Sequence, residues 1–277
     1  MEFIYQNNMF CSVKNLKAED LLAEADLIGT SAEALGWLVI DRSTFIIKEA
    51  GWEVTRSPGG SLNGSGILHG LKGTAAYFNC GADLRREAAG IAGGLVREML
   101  AECVKGIIQA ETFIYQDRGY PTPEAYGEYW EKFYLDSCRY YSNLHRVSRR
   151  WSEYVGGYYT GKKLFARAKN CSVLKVPGGY AAAGLFSDSF HEMAVTISLN
   201  DEGMVRECNG NFLRAPDPVC FENAPSLEML KGAYLPGLAK KQVAELIGGP
   251  TGCDHLVDLV YTLSKGCGEA LKPSLER

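Results

Sequence analysis

The sequence predicts an α+β protein built as a tandem repeat of two strand-hairpin-plus-helices domains, with a helical, tyrosine-rich insert between them. Two observations lead to this fold class. Blocks of the first half recur in the same order in the second half, at a nearly constant offset. In each half, a strand-like alternation of apolar residues is followed by apolar residues at helical spacing.

The repeat sets the predicted domain boundaries. The matching blocks are LKG at 71–73 with LKG at 230–232, IAGG at 91–94 with LIGG at 246–249, and LVREMLAECVKG at 95–106 with HLVDLVYTLSKG at 255–266. We place the first copy at 9–111, the insert at 112–168 and the second copy at 169–272. The offset changes between the last two blocks, which predicts an addition in the second copy, Pro250 to Asp254.

A hairpin is the clearest element of the second copy. In HEMAVTISL every second residue from His191 onward is directed to one face, so this histidine lies at the end of a buried stripe. NDEG then turns the chain, and MVRECNGNFLRA returns as the second strand. Helical spacing follows at 238–246 and 254–265.

The first copy repeats these elements. Segments 36–42 and 44–56 predict a hairpin with DRS as its turn, and residues 84–105 have the spacing of a helix. The side chains that carry reactive atoms differ between the copies, because Glu33 aligns with His191 and Leu95 with His255. We therefore expect chemistry in the second copy and a scaffold role for the first.

The insert at 112–168 has a composition of its own, since it holds ten of the 15 tyrosines. Helical spacing predicts a long amphipathic helix through Trp130, Phe133, Tyr134, Cys138 and Tyr141. Tyrosine has an apolar ring and a polar tip. Such a helix either lines a cleft or a subunit interface, or covers the gap between two domains.

Composition narrows the class of protein. Nine cysteines without CxxC pairs indicate reduced thiols. Neither a long membrane-spanning apolar run nor a signal-peptide pattern occurs, so we expect a cytoplasmic protein. A net charge of -4 argues against nucleic-acid binding, although four arginines cluster locally: Arg139, Arg146, Arg149 and Arg150. We expect no nucleic-acid or membrane partner, and allow a small-molecule ligand and a homo-oligomer formed through the insert.

The stretch GGPTGCDHLVDLV at 248–260 contains the first candidate residues, Cys253 and His255. A cysteine at the first residues of a helix is exposed to partial positive charge, which favours the thiolate. Within the helix, Cys253 is instead an inert core residue. Because the two residues are about 200° apart around a regular helix, they converge only if Cys253 still lies in the turn.

Cys220 lies in a proline-punctuated loop, APDPVCFENAP, after the second hairpin strand. We predict one bound metal ion, zinc or iron, held by His191, Cys220 and Cys253. His255 is the fourth ligand or an acid/base beside the metal, with Cys253 and His255 as the candidate catalytic pair. Asp188 and Glu192 are the further cofactor-binding candidates.

The second half resembles a bacterial family of uncharacterised proteins through HEMAVTISLNDEGMV, LKGAYLPGLAKKQVAELIGG and GCDHLVDLV. More loosely, it is similar to the U-type iron-sulfur scaffold proteins, which share a strand hairpin, a cysteine loop and a late cysteine that opens a helix. This second resemblance implies Cys220 and Cys253 as ligands, with His191 or Asp188 at the strand edge. The chain has no cysteine near residue 188, which favours a stably bound metal over an iron-sulfur cluster.

The sequence is compatible with three alternative functions. The first is a metal- or metal-cofactor-binding protein that acts on a small molecule, with the insert as a lid. The second is a metal-free enzyme in which Cys253 attacks an electrophile and His255 or His191 transfers protons. The third is an interaction module in which all cysteines are structural.

Overall fold

The computed structural model describes residues 1–156 and 161–272. The chain divides into two compact units. The first unit comprises Met9–Tyr126 and Tyr158–Arg167, and the second comprises Met1–Asn8, Gly127–Gly157 and Ala168–Arg277. The expected insert at 112–168 includes residues 157–160, which lie outside the described part of the chain.

The protein is a mixed α+β structure with a large antiparallel sheet. The strands are β1 (Glu2–Lys17), β2 (Asp20–Gly29), β3 (Glu33–Asp41), β4 (Ile47–Arg56), β5 (Gly64–Ile67), β6 (Lys163–Val176), β7 (Gly179–Asp188), β8 (Glu192–Leu199) and β9 (Val205–Arg214). The helices are α1 (Gly81–Ala88), α2 (Leu95–Ala110), α3 (Pro123–Phe133), α4 (Arg139–Ser142), α5 (Trp151–Val155), α6 (Lys240–Ile247) and α7 (Asp254–Ala270).

The first unit orders its strands β5-β4-β3-β2-β1-β6, with antiparallel pairing from β2 to β5. In β3 the buried residues alternate, so Leu38 and Ile40 are directed to the core while Trp37 and Val39 are directed away from it. Helix α2 packs on β2 and β3. The predicted hairpin of the first copy is therefore confirmed.

The second unit orders its strands β1-β6-β7-β8-β9, and both β7–β8 and β8–β9 are antiparallel. The stripe predicted from HEMAVTISL is confirmed, because the side chains of Met193, Val195, Ile197 and Leu199 are buried in one apolar core together with α7. Gly203, at φ +89°, completes the NDEG turn, a conformation that favours glycine. Helix α7 packs on β7 and β8.

The two units share irregularities of strand pairing. The β3–β4 register shifts next to Glu33 and next to Ile40, and the β8–β9 register shifts at the corresponding positions, next to Glu192 and next to Leu199. An isolated bridge joins Ile46 to Ala75 in one unit and Met204 to Tyr234 in the other.

Three predictions about elements were wrong. Residues 84–105 form two helices, because Ala92, Gly93 and Gly94 in the connection between α1 and α2 have left-handed backbones that interrupt the helix. The predicted addition at 250–254 is absent. The number of residues from the start of α1 to the start of α2 equals the number from the start of α6 to the start of α7, which leaves no room for extra residues between α6 and α7. The long amphipathic helix is instead three short helices, α3 to α5.

The helices in the described part of the chain are too short or too polar to cross a membrane.

Candidate functional site

Three potential metal ligands meet in the second unit. The ligand atoms of Asp188, His191 and His255 all lie within 4.8 Å of one another, and this is the one group of at least three such residues among those that the structure describes. Asp188 ends β7, His191 immediately precedes β8, and His255 is the second residue of α7. The site is thus formed by one tight turn and the start of one helix.

The turn between β7 and β8 fixes two of these residues. The Phe190 and His191 backbone N–H groups donate to Asp188 Oδ1 at 2.9 and 2.7 Å, and the Asp188 N–H donates to the His191 carbonyl at 2.8 Å. An aspartate that accepts hydrogen bonds from its own following backbone is a common way to close a turn. His191 Nδ1 lies 3.4 Å from the same carboxylate oxygen.

The two imidazole rings lie face to face. The centroids of His191 and His255 are 3.8 Å apart with 27° between the ring planes, and the ring of Phe186 meets His255 edge-on at 5.5 Å. The side chain of Asp188 is fully buried and that of His191 is 9% exposed, whereas His255 is half-buried. Solvent therefore reaches this site mainly from the side of His255.

Cys253 lies beside the histidine pair. It is the residue immediately before α7, with an extended backbone, and its Sγ is 4.0 Å from His255 Nδ1. The geometric condition from the sequence is therefore met: Cys253 is still in the turn, so the sulfur and the imidazole converge. Cys253 is nevertheless buried in the apolar core of the second unit.

Burial determines the protonation of this thiol. Removal from water raises the pKa of Cys253 well above the ordinary value, and this effect exceeds the opposing effect of the Leu256 and His255 backbone N–H groups. The thiolate that we expected from the helix N-terminus is therefore disfavoured. Helix position alone predicted the wrong direction because it ignored the core around the sulfur.

Cys220 lies in a different cluster. It packs with Tyr140 and Val219, and burial raises the pKa of its thiol to about 12. We expected a loop that presents this cysteine to a ligand. The segment is instead a 3₁₀-helical stretch, Pro218–Leu230, and the side chain of Cys220 is buried. Cys220 is not part of the ligand group found among the described residues.

Glu192 belongs to a brace on the outside of the turn. Its carboxylate lies 3.9 Å from Nε of Arg214, and this arginine donates to the carbonyl oxygens of Asp188 and His191 at 2.6 and 3.3 Å. The expected role of Glu192 in holding a cofactor has no geometric support. Its partner Arg214 was not among the candidate residues that the sequence indicated.

The first unit has the same brace without the ligands. There Arg56 donates to the carbonyl oxygens of Gly29 and Ala32 at 2.5 and 3.4 Å, and the Gly29 N–H donates to the Ala32 carbonyl. Gly29 and Ala32 thus occupy the turn positions that correspond to Asp188 and His191, so the sequence alignment of Glu33 with His191 was wrong by one residue. The turn is common to both units, but the ligand side chains are particular to the second.

The arginine cluster of the insert is paired with acidic groups. Glu222 contacts Arg139 and Arg146, and Glu131 contacts Arg150. Arg149 lies over the ring of Tyr154 at 4.5 Å. These contacts account for the basic residues as local structure.

Comparison with known families places the site inside one matched segment. Residues 183–267 match the family described as Protein of unknown function (DUF2889). All three grouped ligands, and Cys253 beside them, fall within the DUF2889 segment, which agrees with the uncharacterised family indicated for the second half. No curated protein and no solved structure matches the chain.

Proposed function

We propose that this protein binds one divalent transition metal ion, zinc or iron, through Asp188, His191 and His255. The observation that carries the proposal is the convergence of their three ligand atoms within 4.8 Å. Two imidazole nitrogens and one carboxylate are a ligand set used by catalytic zinc sites and by non-haem iron sites. Cys253 is the adjacent residue that completes or tunes the site.

The ligand set leaves coordination positions for water or a small molecule. Three protein ligands with an open position are typical of catalytic metal sites, whereas structural zinc sites are closed by four protein ligands. A metal in such a site polarises a bound water or carbonyl group. We infer that a small molecule enters from the half-buried side of His255.

Metal binding requires one imidazole ring to turn. A metal ion lies in the plane of each imidazole that binds it, and two rings stacked with only 27° between their planes do not direct nitrogens to one point in both planes. His191 is buried and lies beside Asp188, so the more exposed His255 is the ring that rotates.

The geometry gives less support to the alternatives. A metal-free enzyme with Cys253 as nucleophile needs a reactive thiolate, but burial favours the neutral thiol. An iron-sulfur cluster is held mainly by thiolates, whereas the grouped ligands are imidazoles and a carboxylate. We therefore propose a mononuclear metal site rather than a cluster scaffold.

We also infer that the two units arose as a tandem repeat. Their matching register shifts, equivalent isolated bridges and equivalent arginine braces support this origin. A cytoplasmic location agrees with the nine free cysteines. A homo-oligomer formed through the tyrosine-rich insert remains part of the proposal.

Cobalt titration tests the metal site directly. Co²⁺ reports its ligand geometry by visible absorption, so the chelator-treated protein is titrated with Co²⁺ and then with Zn²⁺ as competitor. We expect saturation near one equivalent and displacement by Zn²⁺. The double variant His191→Ala/His255→Ala is expected to lose the band, and the variant His69→Ala/His145→Ala, which removes the other two histidines, is the matched control. An identical titration of both double variants contradicts the proposal.

A further inference from the structure

The helical segment that follows residue 127 contacts both parts of the chain that carry the grouped ligands. On the first side, the buried hydroxyl of Tyr154 donates to the carbonyl oxygen of Phe190 at 2.8 Å. Phe190 lies between Asp188 and His191 in the turn, and Trp151 meets its ring edge-on at 4.8 Å. Helix α5 is therefore fixed to the turn that presents two ligands.

On the second side, Arg139 holds the chain just before α7. Its guanidinium donates to the Thr251 carbonyl at 2.6 Å, and its backbone N–H donates to the Gly252 carbonyl at 2.9 Å. A third hydrogen bond, from Nε to Asn223 Oδ1 at 3.0 Å, orients the guanidinium. Cys253 and His255 follow immediately, so the start of α4 is fixed to the loop that presents the third ligand.

These contacts distinguish the metal-ligand turn from its counterpart. Arg214 braces the turn of the second unit as Arg56 braces that of the first, so this arginine belongs to the turn itself. The contacts from Tyr154 and Arg139 come from a segment between α2 and β6, which lies outside the elements that correspond between the two units. The contacts of Tyr154 and Arg139 are therefore found only in the unit that carries the proposed ligands, whereas the arginine brace is found at the turn of both units.

We propose that Tyr154 and Arg139 are positioning residues that set the distance between the turn at 188–191 and the start of α7. This inference rests on the proposed metal site. The two ligand segments lie far apart in the sequence, and a metal ion binds tightly only when both are held at the correct separation. Groups that orient metal ligands without touching the metal commonly change affinity by about 10- to 100-fold.

Conservative variants separate this role from general stability. Tyr154→Phe removes only the hydroxyl that reaches Phe190, and Arg139→Met removes the guanidinium while keeping an unbranched side chain. The matched control is Tyr126→Phe, because Tyr126 is also buried and its hydroxyl reaches Glu111 in the first unit. Arg139→Lys, which keeps a donor, is the rescue variant.

The measurements are the Co²⁺ dissociation constant from chelator competition, the Co²⁺ absorption spectrum, and the melting temperature of the metal-free protein. We expect Tyr154→Phe and Arg139→Met to weaken Co²⁺ binding by about tenfold or more and to change the spectrum. Tyr126→Phe is expected to stay within about twofold of the parent protein, and Arg139→Lys is expected to recover most of the affinity.

Two results overturn the inference in distinguishable ways. If the parent protein binds Co²⁺ and both variants bind it with the same affinity and spectrum, the brace has no positioning role, even if their melting temperatures fall. If the parent protein itself fails to bind Co²⁺, the proposed metal site is wrong and the positioning role is lost with it.

Discussion

The imidazole rings of His191 and His255 are stacked with their centroids 3.8 Å apart, although one precedes β8 and the other lies at the start of α7. Asp188 lies at the edge of this stack, 3.4 Å from Nδ1 of His191. A hydrophobic core does not require two stacked histidines beside a fully buried carboxylate, because burying a charge is costly unless it is paired. This arrangement of two imidazoles and one carboxylate is the basis of the proposed metal site.

Removing the charge of Asp188 tests the carboxylate as a ligand. Asp188→Asn keeps an oxygen that accepts from the Phe190 and His191 N–H groups, so we expect the turn to persist. The loss of a metal ligand is expected to weaken Co²⁺ or Zn²⁺ binding by about 100-fold or more. Residues that only orient a ligand already change metal affinity by about 10- to 100-fold, and a direct ligand is expected to matter at least as much. Isothermal titration of the metal-free protein measures this change.

Asp217→Asn is the control for that variant. Asp217 is also buried and accepts hydrogen bonds from the Val219 and Ser148 backbone N–H groups, but it is not in the ligand group. We expect both asparagine variants to lose about 1 kcal/mol of stability and only Asp188→Asn to lose metal affinity. Equal affinities in the two variants argue that Asp188 only closes the turn.

The paired arginines provide a second internal comparison. Arg214→Met and Arg56→Met each remove a guanidinium that donates to two carbonyl oxygens of a turn. We expect each variant to lower the free energy of unfolding by about 1 kcal/mol, as measured by urea denaturation. Only Arg214→Met is expected to weaken metal binding, and a similar loss in Arg56→Met contradicts a site confined to the second unit.

Thiol labelling against pH tests the state of Cys253. Because burial raises the pKa of this thiol above that of the unfolded chain, about 8.5, we expect slow labelling that stays flat between pH 7 and pH 9 in the metal-free protein. Peptide mapping after iodoacetamide treatment identifies the labelled residue. A rate that rises with a midpoint at or below pH 7.5 supports the nucleophile hypothesis instead.

The same pKa direction has a consequence for stability. A thiol whose folded-state pKa exceeds its unfolded value stabilises the fold below about pH 8.5, and this contribution is lost as the pH rises above that value. Chemical denaturation at pH 7.5 and pH 9.5 is therefore expected to show lower stability at the higher pH. Replacing Cys253 with alanine is expected to reduce that difference.

Close packing of α7 on β6 gives a prediction about the fold. A Cβ at Gly266 overlaps the sulfur of Cys171, whereas a Cβ at Gly127 in α3 meets nothing within 4 Å. We expect Gly266→Ala to destabilise the protein by about 2 kcal/mol through overpacking, and Gly127→Ala to be neutral or stabilising by up to about 1 kcal/mol. Thermal melts of both variants check this order, and a stable Gly266→Ala protein shows that α7 lies further from the sheet.

Local patterns predicted part of the fold. The β8–β9 hairpin was predictable because apolar and polar residues alternate along HEMAVTISL and a polar turn follows. Strand β7 was not, because GYAAAGLFSD consists largely of alanine and glycine, which have low strand propensity and weak alternation. The prediction of one long helix in the insert was wrong because the chain turns near Asp136, whose left-handed backbone interrupts the helix.

Long-range contacts account for the rest of the site. Cys253 and His255 were predicted as a pair because they are neighbours in sequence, and the position of Cys253 before α7 brings them together. The place of Cys220 depends on Tyr140, a residue of the insert with no sequence signal that connects the two. Asp188 rather than Cys220 joins the histidines because the β7–β8 turn closes on its carboxylate.

The metal content of the native protein tests the central claim most directly. The protein is purified without an affinity tag under anaerobic conditions and analysed by inductively coupled plasma mass spectrometry, beside the His191→Ala/His255→Ala variant. We predict close to one zinc or iron per chain in the parent protein and less than about 0.1 in the variant, since ligand loss removes the binding free energy. Less than about 0.1 metal per chain in the parent protein, or equal metal in both proteins, contradicts a metal site at Asp188, His191 and His255.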